Sequence, residues 1–379
     1  MRYTILSGIA GLATIVANGV STVPADAGGW GIPVPCATTA LINAIATAPA
    51  GSTLILARRC TYHLTSAYSG AHGLPPVDRQ LTIEGRDSTI VRDGGSAGVF
   101  GIFHVTSTGD LRLEDVTIRG GNAPVDGGGI LVDSSGKLRL NKVTLDNNHA
   151  DRNGGGVDVE SGATAYITSS EFTFNNAGSN GGGMQSDGTV TADGVVLSRN
   201  FAAVNGGAIS HVRSDALYRN ATVKDNTSGD NSGGIYSGSG STVRFTNSKI
   251  INNTTGTAGG GIANEASLTL IKTDVSGNVV GGTGGAGGGI YQIDGTLVLR
   301  DSKVDRNSAN GSGISRAGGI FSAFAAVTLD HSEVNNNAST VRPGGVWTNA
   351  PFTKNRSEIR HNVPTNCDGS PFIVTGCIG

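Results

Sequence analysis

Bulky side chains are scarce in this 379-residue chain: aromatics make up 5% of it, with two Trp and two Met. A large conventional core would lack its usual pieces. Charge is scarce too, at 15%, and nearly balanced, with 27 basic against 29 acidic residues for a net charge of −2. No overall field therefore selects nucleic acid or an anionic lipid surface as partner. Proline numbers 11 and no three-residue Gly period exists, which excludes collagen. Beyond the N-terminus no apolar run is long enough to span a bilayer. What abounds is Gly, with 60 residues, more than double the usual share of about 7%. Each interior Gly costs a helix roughly 1 kcal/mol relative to Ala, so an ordinary helical enzyme is excluded as well.

The N-terminus reads Met1, Arg2, an apolar run from Thr4 to Ala17, and then Ala25-Asp26-Ala27. This is the pattern of a signal peptide, residues 1–27, cut before Gly28. The mature protein is expected to be secreted, extracellular or at the cell surface, with no stable membrane insertion once the signal is removed. Cys36, Cys60, Cys367 and Cys377 form one early and one late pair. Export and an even count favour disulfides. Of the three connectivities, Cys36–Cys60 and Cys367–Cys377 are expected because each cross-links its terminal region locally. Zinc ligation is the weaker alternative, since no C-x2-C spacing occurs.

The chain repeats. A Gly-rich signature followed by an apolar residue recurs at Ile130, Val157, Met184, Ile209, Ile235, Ile262, Ile290, Ile320 and Val346, at intervals of 25 to 30 residues. A second signature, apolar-x-x-Asn, keeps the same beat through Asn148, Asn175, Asn200, Asn226, Asn253, Asn278, Asn307, Asn337 and Asn362. Within one unit, Ile130-Leu131-Val132, Leu138-Arg139-Leu140 and Val143-Thr144-Leu145 read as three short strands separated by turn residues. Such a unit cannot bury an apolar face alone. Stacked as coils about 4.8 Å apart, the units share one interior. The fold class is all-β, a parallel β-solenoid of ten or more coils. Gly runs serve the corners, and each recurrent Asn is expected in a left-handed turn with its amide bonded to a neighbouring coil.

Thr39 to Ala48 carries Leu41, Ile42, Ile45 and Ala48 at helical spacing and reads as a short N-terminal capping helix. A strand is expected from Thr53 to Leu64, a loop from Tyr68 to Arg79, and irregular first coils from Leu81 to Ile118. The division is thus signal 1–27, cap and first coils 28–115, repeat helix 116–362 and C-terminal cap 363–379.

Gly206-Gly207-Ala208-Ile209 and Phe172-Thr173-Phe174-Asn175 resemble the paired GGAI and FxxN repeats of chlamydial polymorphic outer-membrane proteins, over about residues 116–362. The N-terminal helix and strand are similar to the start of pectate-lyase-like folds. The resemblance implies a right-handed helix, an architecture shared by many exported bacterial proteins. It also departs from the pattern, because no run of amphipathic membrane-barrel strands follows the repeats.

Rows read across coils give the candidate sites. Three positions after the signature residue lie Asp133, Glu160 and Asp187, all expected outward, with Asp158 nearby and Arg213 one coil on. Stacked carboxylates repel, recruiting a cation or raising a pKa. Calcium at Asp133, Glu160 and Asp187 is one functional reading, and an acid/base pair for glycoside cleavage another; ordinary turn chemistry is the bland one. Directly after the signature residue lie Tyr236, Tyr291, Phe321 and Trp347, interrupted by Ala263. These suit glycan or partner contact, or simple cross-coil packing. A third row, Lys249, Asp274, Lys303 and Glu333, alternates in sign and is expected to compensate itself. The seven His residues, His63, His72, His104, His149, His211, His331 and His361, share no row in the sequence and are assigned no metal or nucleophilic role. Outward Thr117, Thr144 and Thr222 form no unbroken array, which argues against an ice-binding face.

The main expectation is a non-catalytic, monomeric surface for adhesion or for binding polysaccharide or a cell-surface protein, needing no cofactor. The alternative is a polysaccharide lyase or glycoside hydrolase using Asp133, Glu160 and Asp187.

Overall fold

In the computed structural model, which describes residues 31–95 and 98–377, the repeat folds as expected into a parallel β-solenoid of about 11 turns. The signal-peptide reading lies outside the described residues. From Ile130 to Ser339 each turn carries four strand segments rather than three, as in Ile130–Val132, Lys137–Asn141, Thr144–Asp146 and His149–Ala150. We number the ladders they build first to fourth. Adjacent coils pair in parallel and in register: Ile130 faces Val157, Leu138 faces Ala165, Leu145 faces Phe172 and Ala150 faces Ala177. The fourth ladder has strands of two residues, too short to show any alternation in sequence. The second and third ladders merge into one sheet because Gln80–Arg92 and Asp110–Arg119 run through both.

Inward positions carry Ile, Leu, Val and small residues, and they bury almost completely; Ile130, Leu145, Val157 and Ile209 are fully covered. The interior is narrow, so the few aromatics within it stack along the axis. Tyr218 lies on Phe245 at 4.5 Å with its hydroxyl 2.9 Å from His211. Burial drives the His211 imidazole down to about 3, which marks it as a neutral core residue.

The Asn row supplies the polar spine. Asn253 Oδ1 accepts the backbone N–H and the side-chain amide of Asn226, at 3.0 and 2.9 Å. Its own Nδ2 donates to Val223 O at 3.1 Å and Asn278 Oδ1 at 3.0 Å. The pattern runs without interruption from Asn148 to Asn362, which closes it on Asn366. One expectation is corrected here: the ladder Asn is not left-handed. The residue before it is, as at Phe174 (φ 55°), Arg199 (φ 55°) and Arg306 (φ 52°). That turn swings the following Asn inward, where its amide can run along the axis. At the corner before the first ladder the left-handed residue is Gly in most coils, as at Gly154 (φ 62°), with Ser232 and Ala317 as exceptions, and a Cβ on adjacent Gly155 would overlap the Asn176 carbonyl.

Helix α1, Thr38–Thr47, buries Leu41 and Ile45 over the interior. Arg79 reaches its C-terminal end, donating to the carbonyls of Ala48 and Ile45. The strand expected from Thr53 to Leu64 is two, Ser52–Leu56 and Thr61–Leu64, because the chain turns at left-handed Arg59. Both expected disulfides, Cys36–Cys60 and Cys367–Cys377, are formed. No helix of the described residues is long and apolar enough to cross a membrane.

Asn253→Ala removes four side-chain hydrogen bonds and leaves buried Asn226 N–H and Val223 C=O groups short of a partner. The expected loss is roughly 1–3 kcal/mol, read as a lowered urea midpoint. Asn253→Asp keeps the acceptor but places a charge where a donor is needed, so at neutral pH it should cost more than Ala. Equal stability of all three proteins would contradict the ladder's structural role.

Candidate functional site

The residue directly after each signature position is the outward centre of a first-ladder strand. Register aligns ten of them in one row: His104, Leu131, Asp158, Gln185, Ser210, Tyr236, Ala263, Tyr291, Phe321 and Trp347. The acidic and aromatic features expected on separate rows therefore share one face.

At one end Asp158 is 6% exposed and lines a depression of about 270 Å³ with Asp126, Ser134, Arg152, Glu160, Gln185 and Asp187. Burial pushes the Asp158 carboxyl well above the usual carboxylate range, and the charges of Asp126, Asp187 and Glu160 push it further. Arg152 pulls the other way but stands 3.8 Å from Asp126 instead. Arg152 replaces Arg213 as the cation facing the acids. Among the described residues no hydrogen bond or ion pair closes on the Asp158 carboxyl, and the buried Oε1 of Gln185, its register neighbour, has no partner. Such unsatisfied groups are costly, and they concentrate where a ligand supplies what the fold withholds.

The carboxylates expected to act together are divided. Glu160 and Asp187 join Asp158: Glu160 accepts from Ser134 N and Oγ, both at 3.2 Å, and Asp187 from Gln185 Nε2 at 2.8 Å. Asp133 instead bonds His104 Nε2 at 2.8 Å. His104 in turn stacks on His72 at 4.5 Å, a contact the sequence reading did not foresee, although His72 pairs in register with Gly101 and the two histidines share no row. The pairing was illegible because His72 sits in the irregular loop and His104 in a coil without the Gly signature. Burial and the charge of His104 hold His72 down at about 4, against the opposing pull of Asp133. Among the described residues no three His, Cys, Asp or Glu side chains are arranged to hold a metal ion.

At the other end Tyr291, Phe321 and Trp347 stack in sequence, at 5.2 Å and 14° and then at 4.3 Å and 2°. They are half-buried rather than fully exposed, since Phe321 has a ring on each face and Tyr291 and Trp347 each have one. Tyr236 stands apart across the Ala263 gap. Glu265, which sequence reading passed over, faces both tyrosines there. Burial first, then the charge and hydrogen bonding of Glu265, push the Tyr236 phenol up to about 12; burial and Glu265 also raise Tyr291. In the third row Lys303 and Glu333 approach to 3.7 Å, the one ion pair that row forms among the described residues.

A carboxyl raised in the folded state binds a proton that the unfolded chain, with its Asp near about 3.9, has already lost. Stability should therefore fall as pH rises from about 4 through the raised value. Asp158→Asn removes that dependence: its melting temperature should exceed wild type at pH 7, with the gain shrinking toward pH 4. A gain that is absent, or equal at both pH values, would contradict the assignment.

Residues 100–280 match the family described as right handed beta helix region, which supports the right-handed sense. No curated protein matches the chain significantly. Among solved structures, the periplasmic alginate epimerase AlgG is 11% identical, with a TM-score of 0.44 over 86% of this chain and 83% of that one. The Azotobacter vinelandii mannuronan C-5 epimerase AlgE6 A-module is 14% identical, with a TM-score of 0.38 over 85% of this chain and 94% of that one. At such TM-scores these likenesses carry no argument about function. The chlamydial resemblance is not carried by any of these matches, and the family match speaks for a right-handed β-helix and nothing finer.

Proposed function

We propose that this is an exported polysaccharide-acting solenoid of hydrolase type, with its reactive centre in the depression around Asp158. The observation that carries the reading is the environment of Asp158, a buried carboxyl set among the charges of Asp126, Glu160 and Asp187 with no hydrogen-bond partner among the described residues. Two carboxyl groups held at different protonation states are what glycoside cleavage requires. Asp158 delivers its proton to the leaving glycosidic oxygen as the bond to the anomeric carbon breaks. Glu160 or Asp187 draws a proton from the water that adds there. Strand geometry sets the Cα atoms of these three residues about 5–8 Å apart, a spacing the two-carboxyl chemistry accepts but does not uniquely demand.

The same charges speak against elimination on a polyuronate. A lyase must neutralise the substrate carboxylate, and here one Arg faces several acids. Calcium at Asp133, Glu160 and Asp187 is not needed by this reading, and Asp133 is engaged by His104. The two disulfides fit an oxidising compartment.

A second reading, a non-catalytic glycan or partner surface, is favoured by the aromatic stack of Tyr291, Phe321 and Trp347. Incubating the protein with neutral, acidic and amino-sugar polysaccharides separates the two. The hydrolase reading expects new reducing ends without unsaturated uronate absorbance, lost in Asp158→Asn. Unsaturated products would overturn it, and retention without cleavage, weakened by Trp347→Ala, would favour the second reading.

A further inference from the structure

The outward row of the first ladder presents negative charge at two separate places. One is the depression at Asp158. The other is the Ala263 gap, four coils further along the same line and so about 19 Å away by strand spacing. At the gap the Glu265 carboxylate lies against Tyr236 and Tyr291, two half-buried phenol rings. We infer that the face recognises a cationic glycan, a polymer of amino sugars whose ammonium groups meet carboxylates at the depression and at the tyrosine-flanked gap. The inference rests on the polysaccharide reading above and names the substrate class for it.

The chemistry at each place asks for the same partner. In the depression the Gln185 Oε1 acceptor, in a residue 7% exposed, has no partner, and among the described residues no hydrogen bond reaches the Asp158 carboxyl. An ammonium brings three N–H donors and a positive charge, whereas a neutral sugar hydroxyl brings one donor and a uronate carboxylate brings only acceptors and a negative charge. At the gap a carboxylate between aromatic rings combines ion pairing with attraction of the cation to the ring faces. Metal ions suit neither place: the gap offers one carboxylate, and no trio of ligands converges in the depression among the described residues. Arg152, the one cation facing the acids, sits at the rim with its side chain 63% exposed, where it can yield to a ligand.

The test is calorimetric titration of the full chain with a glucosamine oligosaccharide at mildly acidic pH, where its amines are charged. Its N-acetylated counterpart, oligogalacturonate and calcium chloride serve as the other titrants. The expected order is glucosamine oligomer first, the N-acetylated form about tenfold weaker, and no oligogalacturonate binding. Added salt should weaken the first, and Glu265→Gln should weaken it about tenfold while leaving the melting temperature within a few degrees. Equal affinity for the acetylated form, binding of oligogalacturonate, or calcium binding lost in Glu265→Gln would each overturn the inference. Reducing-end release from the same sugars separates it from the hydrolase reading. Tight binding of the glucosamine oligomer without cleavage leaves the inference standing and removes hydrolysis; cleavage of neutral glycans alone does the reverse.

Discussion

The repeat region of this protein depends on the hydrogen-bonded row of buried asparagines that locks each coil onto the next. An amide has a donor and an acceptor facing opposite ways, so it can pass a hydrogen bond along the axis indefinitely. Asn148 through Asn362 do this at distances near 3 Å. Because the side chains must meet end to end, no coil can slip relative to its neighbour. Fixed register turns each sequence position into a line along the molecule, and the first-ladder line carries both the acidic depression and the aromatic stack.

The depression is where that regularity works against stability. Stacking places Glu160 and Asp187 on adjacent coils, with Asp158 buried two residues before Glu160 and Asp126 also lining the depression. Like charges one strand apart repel, and a buried charge is costly. Holding a proton on Asp158 relieves both, and it leaves a carboxylic acid beside carboxylates at the surface of a rigid scaffold. An enzyme needs this asymmetry; a purely structural solenoid does not. Elsewhere on the molecule outward charge is treated differently, as in the exposed Lys303–Glu333 pair, which is worth little either way.

Much of the fold was legible because the signals repeat. Nine copies of a Gly signature and nine of an Asn fix the period, the parallel stacking and the aligned rows, and local Cys spacing gave both disulfides. What escaped was the unrepeated. Two-residue strands such as His149–Ala150 show no alternation, and the left-handed residue before each Asn varies from Phe to Arg to His, so no residue type announces it. For the site, Asp158 and Tyr236 occupy the same repeat position, but chemistry as different as carboxyl and phenol hides the shared line until all coils are aligned. Asp133 matched Glu160 and Asp187 in spacing, yet His104, one coil earlier, drew it away. Burial, which gives Asp158 its character, is a property of the neighbours and not of the position.

The most direct test is a carbon-13 NMR titration of the Asp carboxyl groups, comparing wild type with Asp158→Asn to assign the resonance. The account predicts one Asp carboxyl that stays protonated well above the others as pH rises, missing from the variant. If every Asp carboxyl has titrated by about pH 5, within the ordinary carboxylate range, Asp158 is no proton donor and the proposed chemistry fails.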